Sequence, residues 1–254
     1  MPTFLVTKPG SAGAALASAL RAAGATALHL PAFEIGPPPD VVAVRARLAA
    51  LDQFDLVLFV SPAAVRATRE LLSAAWPAAT RIAAVGAGTA QVVHEALDLP
   101  PQAQVIAPVA DSADEAPGSE ALWPLLRSLQ SAPRRVLILR AEQGREWLGE
   151  RLREAGAEVS VLAVYRRIPR PWTAYATEDA LAAALASAPT IVVTSSDAAH
   201  VVRQQIDALA PAARATVRLV TMHPRIAAAL ADAGFTQVRL LSRLDAAALL
   251  QAGR

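Results

Sequence analysis

The sequence predicts an α/β protein of two lobes, each a doubly wound parallel sheet. Three observations lead there. Apolar segments of strand length alternate with helical patterns along the chain, as in parallel sheets covered by helices. Most strand segments are continuous apolar runs without polar alternation, as burial on both faces requires. The module also occurs twice: residues 4–31 (FLVTKPGSAGAALASALRAAGATALHLP) read like residues 136–165 (VLILRAEQGREWLGERLREAGAEVSVLAVY), each a strand, a polar turn, a helix ending in Ala-Gly-Ala and a second strand. Residues 56–66 (LVLFVSPAAVR) match 191–201 (IVVTSSDAAHV), and 83–93 (AAVGAGTAQVV) match 217–230 (VRLVTMHPRIAAAL). The offsets are steady: 132 from Val6 to Ile138, 134 from Ser61 to Ser195 and 135 from Val85 to Val220. Such steadiness indicates a duplicated βα unit, and two similar lobes offer a cleft, the usual place for a ligand.

In order, the apolar runs place strands at 3–7, 26–30, 56–60, 81–85, 104–107, 136–140, 159–165, 190–194, 218–220 and 237–240. Helices fall between them at 14–23, 41–51, 62–75, 89–97, 120–129, 145–155, 177–186, 197–209, 224–233 and 245–251. Gly24, Gly156 and Gly234 each follow a helix where a left-handed cap is expected. Ser61 before Pro62 is a good N-cap with proline at the first helical position, and Ser195, Ser196 and Asp197 are expected to repeat that arrangement. Two segments break the alternation, GPPP at 36–39 and RIPRP at 167–171, both stiff linkers in composition. The acidic, turn-rich stretch 108–118 reads as a surface loop; a simple cut between the copies falls near residue 120.

At 254 residues the chain suits one large domain or two ordinary ones, and the duplication favours two. Apolar residues make up 54% and mean hydropathy is +0.35, but the excess is Ala spread through helices and no run reaches the ~18 residues of a membrane span. MPTFLVTKPG has neither a basic leader nor a long apolar core, so no signal peptide and a cytoplasmic location are expected. The absence of Cys removes disulfides, thiolate metal sites and cysteine nucleophiles together. Net charge is only +2, and with few groups titrating above neutrality the pI of 9.6 overstates basicity. Lys8 is the single lysine, and the arginines are scattered, not in a stripe. With 4% aromatics, nucleic-acid binding gains little support, whereas clusters such as Arg134 with Arg135, or Arg166, Arg167 and Arg170, suit a small polyanion.

VTKPG near the start, FDLVLFVSPAAVRA, IAAVGAGTA, LRAEQGREWLGERLREAGAEVSVLAVYRR, IVVTSSDAA and the closing AGFTQVRLLSRLDAAALLQA together resemble the uroporphyrinogen-III synthase family, in order and over nearly the whole chain. The resemblance implies two flavodoxin-like α/β domains joined by a two-stranded linker, the chain crossing over and returning. Residues 1–35 and 172–254 would form one domain and 40–165 the other, with linkers at 36–39 and 166–171 and the duplicated halves interleaved. It also implies an activity, ring closure of the linear tetrapyrrole hydroxymethylbilane. Water leaves the hydroxymethyl end, the resulting azafulvene cation is attacked by the substituted carbon of the far ring, and a spiro intermediate reopens and closes with that terminal ring inverted. Unaided, the bilane closes to the uninverted isomer, so the task is orientation and differential binding. No cofactor is implied. The partners implied are the bilane and the synthase that hands it over; small linked lobes without a coiled coil favour a monomer.

Such a site needs donors for carboxylates, which helix N-termini at the carboxyl edge of each sheet supply. The candidates are Lys8, Ser61, Gly86, Gly88, Thr89, Arg140, Gly144, Ser195, Ser196 and Arg225 for substrate and Tyr165 for catalysis. Ser61, Ser195 and Ser196 read equally as plain helix caps. Gly86-Ala87-Gly88-Thr89 lacks the third glycine and the acidic residue of a dinucleotide site and reads as a carboxylate-binding turn or a tight turn. Its counterpart, Met222-His223-Pro224-Arg225, departs from the glycine and threonine of some relatives, leaving Arg225 or His223 to substitute. Tyr165 matches the family's tyrosine before the crossing; its phenol either hydrogen-bonds the departing hydroxyl or packs at the linker and bonds backbone. Lys8, Arg140 and Arg145 match the family's basic positions, although Arg145 with Glu146 and Arg151 also reads as a solvated helix face. His29, His94, His200 and His223 show no ligand spacing, so no metal site is expected. Glu95 and Glu142 stand isolated, without the partner a glycosidase pair needs. The competing function is a non-catalytic binding module for a small polyanion; a sugar-nucleotide transferase lacks its metal motifs and a receiver domain its aspartate.

Overall fold

The computed structural model describes residues 1–109 and 118–253. In chain order it runs β1 (Thr3–Val6), α1 (Gly10–Ala22), β2 (Thr26–His29), β3 (Phe33–Gly36), α2 (Val41–Leu48), β4 (Leu56–Phe59), α3 (Pro62–Leu71), β5 (Arg81–Ala84), α4 (Ala87–Ala96) and β6 (Val105–Ile106). It continues through α5 (Ser119–Arg127), β7 (Arg135–Ala141), α6 (Trp147–Glu154), β8 (Glu158–Pro169), α7 (Glu178–Ala186), β9 (Thr190–Val192), α8 (Asp197–Leu209), β10 (Arg218–Thr221), α9 (Pro224–Asp232), β11 (Val238–Leu240) and α10 (Ala246–Ala252). The loop expected at 108–118 falls mostly on 110–117, outside the described residues.

The chain divides into two compact units, Met1–Ile35 with Ile168–Arg254, and Gly36–Arg167. In the first unit the parallel sheet, read from one edge, is β2-β1-β9-β10-β11. This is the flavodoxin order, with the first strand in second place. The second unit's sheet is β3-β8-β7-β4-β5-β6, its strands β4 to β8 pairing in parallel. Without the edge strand β3 it is the same spatial order, entered at the third strand. The repeated sequence segments therefore occupy equal places, β1 with β7, β2 with β8, β9 with β4 and β10 with β5.

Strands buried on both faces explain the unbroken apolar runs. In the first unit Leu5, Ile191 and Leu219 pack with Trp172, Leu181, Val202 and Leu230 on one face, while Phe4, Val6, Val192 and Val220 meet Ala17, Leu20 and Leu249 on the other. In the second, Val57, Phe59, Leu137 and Leu139 face Val44, Val65 and Val93, and Leu56, Leu58, Val136 and Ile138 face Leu122, Leu148 and Leu152. Each such fully buried Leu, Ile or Phe contributes about 1.5–3 kcal/mol relative to exposure. Gly24, Gly156 and Gly234 have positive φ after α1, α6 and α9.

The structure adds β3, which the sequence pattern does not predict. FEIG holds two apolar residues, too few for a pattern, and it becomes a strand by bonding to the neighbouring β8. β8 runs on to Pro169, through residues expected to be linker. Helix 41–51 stops at Leu48 and gives way to a 3-10 turn at Leu51–Gln53, where Thr80 Oγ1 donates to Leu51 O at 3.0 Å.

Candidate active site

All the sequence-derived candidates lie at the carboxyl ends of strands or in the turns and first helical residues beyond, with Arg140 and Tyr165 inside β7 and β8. In the flavodoxin order the connections leave to opposite faces between β1 and β9, and between β7 and β4, so the switch point, where sheets of this kind usually take their ligands, lies there in each unit. Lys8, Ser195 and Ser196 follow β1 and β9, and Ser61 follows β4.

In the second unit the structure brings Ser61 and Tyr165 together. Ser61 has the extended backbone of an N-cap, φ −165° and ψ 156°, and its Oγ accepts from the Ala64 N–H at 3.2 Å. The same Oγ lies 3.2 Å from Tyr165 Oη. Arg167 Nη2 donates to that phenol oxygen at 3.5 Å, and its guanidinium carbon stands 6.0 Å from the ring centroid. The Tyr165 ring is 2% exposed and packs into the core with Val57, Phe59 and Val164. The ring is thus part of the unit's core, and the hydroxyl bonds side chains, not backbone.

A β-bulge puts Tyr165 there. β7 and β8 stay in register from Arg135↔Glu158 to Arg140↔Ala163, then shift so that Ala141 pairs with Tyr165 and Val164 is the extra residue. Leu162 and Val164 share one face, as period two requires. A regular strand would turn Tyr165 to the opposite face; the extra residue keeps it on this one, beside α3.

The basic candidates of this unit are already engaged. Arg140, its side chain 12% exposed, bonds Glu146 through Nη2 and donates to Arg145 O through Nη1 at 3.1 Å. It ties down the turn that contains Gly144, where an added Cβ would lie 3.5 Å from Arg140 Cδ, in ordinary contact. Arg145 is not on a helix face with Arg151. It precedes α6 and makes a two-pronged pair with Glu120. In the turn after β5 an added Cβ at Gly86 or Gly88 would meet nothing within 4 Å, so the backbone is open to approach, whereas Thr89 is 5% exposed and faces inward. Helix α4 has no side-chain cap.

In the first unit Lys8 is exposed, and its carbonyl accepts from His29 Nε2 at 2.9 Å, which sets the His29 proton on Nε2. Thr7, 1% exposed, donates through Oγ1 to Val192 O at 2.7 Å and ties the ends of β1 and β9. The expected repeat of the Ser61 cap at Ser195 and Ser196 is corrected: Ser196 holds the cap position of α8 but makes no capping side-chain bond. Its backbone is already helical, φ −62° and ψ −37°, and cannot aim the hydroxyl back at the helix amides. His223, at the corresponding place before α9, does cap, its Nδ1 accepting from the Arg225 N–H at 3.1 Å.

Sequence reasoning missed Arg167 as a site residue, taking it only as one of a basic cluster. The available signal was its place two residues after Tyr165, hence on the same strand face. Glu34, where β3 begins to cross, is held below the ordinary carboxylate range by a hydrogen bond from Arg170 at 2.9 Å and one from Tyr175 at 3.1 Å; burial and Glu34 push Tyr175 up. A cavity of about 410 Å³ at the amino edge of the first sheet is lined by Thr3, Gly24, Ser187 and Arg218 and contains none of the candidates. Among the described residues no three His, Asp or Glu gather to hold a metal ion, and no helix is long and apolar enough to cross a membrane.

Comparison with known proteins agrees with this architecture. The family model described as uroporphyrinogen-III synthase HemD matches residues 14–251. The chain is 31% identical to uroporphyrinogen-III synthase of Salmonella typhimurium and 30% to that of Escherichia coli, in each case over 98% of this chain and 99% of the relative. A crystal structure of a mutant uroporphyrinogen III synthase from Thermus thermophilus superposes with a TM-score of 0.63 at 24% identity, over 99% of this chain and 97% of the other. The Helicobacter pylori enzyme gives 0.60 at 16%, with the same coverage, and both share the fold. Matched from its first helix to its last, and end to end with two relatives, the chain belongs to the uroporphyrinogen-III synthase family.

Proposed function

We propose that this protein closes hydroxymethylbilane to uroporphyrinogen III with inversion of the terminal pyrrole ring, without a cofactor. The whole-length kinship to enzymes of that name carries the reading. The geometry supports it. The first turns of α1, α4 and α8 have no side-chain caps, and free amides at a helix N-terminus favour carboxylates by about 0.3–1 kcal/mol each. Lys8 before α1, Ser195 and Ser196 before α8, and Gly86, Gly88 and Thr89 at the start of α4 shape these carboxylate-binding turns, while Arg225, after the His223 cap of α9, and Arg140 and Gly144, before α6, shape the turns at neighbouring strand ends. Arg140 does so by holding its turn, and Thr89 by anchoring α4.

The chemistry asks for little acid strength. The pyrrole nitrogen expels the hydroxyl, and the cluster of Ser61, Tyr165 and Arg167 supplies a hydrogen-bond donor as charge grows on the departing oxygen. Binding must then favour attack by the substituted carbon. A hundredfold excess of the inverted isomer needs about 2.7 kcal/mol of differential transition-state stabilisation, a few well-placed carboxylate contacts. Because free bilane closes by itself to the wrong isomer, direct transfer from hydroxymethylbilane synthase to this protein, as a cytoplasmic monomer, limits the loss. The test supplies freshly generated hydroxymethylbilane and separates the product isomers. Predominant type III is expected; the mixture formed in buffer alone would overturn the reading and leave a binding module in its place.

A further inference from the structure

We propose that the hydroxyl offered to the substrate by the second unit is that of Ser61, and that Tyr165 and Arg167 are positioning residues that fix its direction. This rests on the function proposed above.

Each donor of this cluster needs an acceptor. An arginine side chain only donates, so at 3.5 Å the Tyr165 oxygen accepts from Arg167 Nη2. The phenol proton then needs an acceptor. Tyr165 is 2% exposed, and among the described residues its Oη has one other partner, Ser61 Oγ at 3.2 Å. A buried hydroxyl proton left without an acceptor is strongly disfavoured, so Tyr165 donates to Ser61. Ser61 Oγ already accepts from the Ala64 N–H at 3.2 Å. With both lone pairs taken, its own proton has to point away from Ala64 and Tyr165.

Exposure agrees with this direction. Ser61 is half-buried at the carboxyl end of β4, where ligands of this fold sit, while the phenol lies behind it in the core. The chain of bonds runs one way, Arg167 to Tyr165 to Ser61 and outward. Each bond polarises the next, so the outermost donor is strengthened by the guanidinium at the far end. No proton leaves the chain in this role: the Ser61 hydroxyl stabilises the departing oxygen by hydrogen bonding.

The test measures kcat, KM and isomer ratio for Ser61→Ala, Ser61→Gly, Ser61→Thr, Tyr165→Phe, Arg167→Met and Arg167→Lys, and for Ser61→Gly combined with Tyr165→Phe. Glycine is included because it serves nearly as well at an N-cap and keeps α3 intact if alanine does not. Loss of the Ser61 hydroxyl is expected to lower kcat on the order of 100-fold with KM little changed, as for removal of one preorganised donor. Threonine should restore all but about fivefold. Tyr165→Phe and Arg167→Met should each cost about tenfold, with lysine recovering most of the latter, and Tyr165→Phe should cost nothing further in the Ser61→Gly background. Loss of turnover in Tyr165→Phe alongside near-normal Ser61→Gly would overturn the proposal, because the phenol would then act directly; so would independent, multiplying losses in the double variant. If wild-type protein gives only the buffer mixture, the function itself fails; if it makes type III and Ser61→Gly does so at full rate, the function stands and this proposal falls.

Discussion

Gly13 lies in the first turn of α1, beneath the turn that carries Lys8, and a single methyl there should be felt throughout the first unit. A Cβ on Gly13 would stand 1.9 Å from Lys8 O, 2.8 Å from its carbonyl carbon and 2.6 Å from His29 Nε2. Carbon needs about 3.5 Å, so the Lys8 carbonyl must retreat by about 1.5 Å and lose the 2.9 Å bond from His29. Overpacking costs about 1–3 kcal/mol and the lost hydrogen bond about 0.5–1.5 kcal/mol. Alanine's advantage over glycine within a helix returns about 1 kcal/mol. The balance is a loss of about 2 kcal/mol, or a fall of about 8 °C in the melting of that unit at roughly 4 °C per kcal/mol. Calorimetry on Gly13→Ala would read it. Gly149→Ala is the control, since its Cβ would meet only the flexible Arg153 Nη1 at 3.3 Å and side-chain methyls beyond 3.4 Å; it should melt no lower than wild type. Gly13→Ala melting at or above wild type would refute the reasoning, because the Lys8 carbonyl would then be free to move and the turn not built around the absence of a side chain.

Other consequences can be checked as directly. Glu34 and Asp55 both titrate below their ordinary values, Glu34 through Arg170 and Tyr175 and Asp55 through the Arg135 and Arg134 amides. A depressed folded value stabilises above the unfolded value and is lost as pH falls through the folded one, so stability should decline as pH drops below about 4. An NMR titration should show Arg170→Met raising the Glu34 pKa more than Tyr175→Phe does. Arg140→Met should cost about 1–2 kcal/mol in urea unfolding, since it strands Glu146 and unties the turn, the pair being only partly shielded from water. Glu120→Gln should cost less than about 1 kcal/mol, because its pair with Arg145 is substantially exposed.

The fold was legible because its signals are local. A run such as LVLF stands for a strand with helices on both faces, Ser-Pro for a helix start, Ala-Gly-Ala for a helix end, and the steady offset revealed two copies. What the residues do to one another was less legible. Nothing in the spelling Val-Leu-Ala-Val-Tyr marks Val164 as the extra residue of a bulge, for that depends on pairing with β7. Ser195-Ser196-Asp197 resembles a cap as strongly as Ser61-Pro62 does, and only the backbone angles separate them. Arg140 and Arg145 carry the right charge for a polyacid, yet their partners Glu146 and Glu120 lie 6 and 25 residues away, one of them on another helix. Strand order was hidden too, because the crossings at β3 and β8 let the second unit reach the flavodoxin order from a different starting strand.

That shared order makes the differences between the units informative. Each has its switch point at equivalent strand ends, β1 beside β9 and β7 beside β4. In the first unit β1 and β2 remain in register through Val6↔His29, and the end of β1 is closed by Thr7, which bonds Val192 O and accepts from the Ala32 N–H. In the second unit the bulge at Val164 interrupts the ladder, and a phenol and a guanidinium come to lie behind the cap of α3. Hydroxymethylbilane also has unlike ends: one loses a hydroxyl, the other attacks and turns over. On the function proposed above, a single inserted residue, which gives the second unit a hydroxyl relay that the first lacks, makes the two units as unlike as the ends of the substrate.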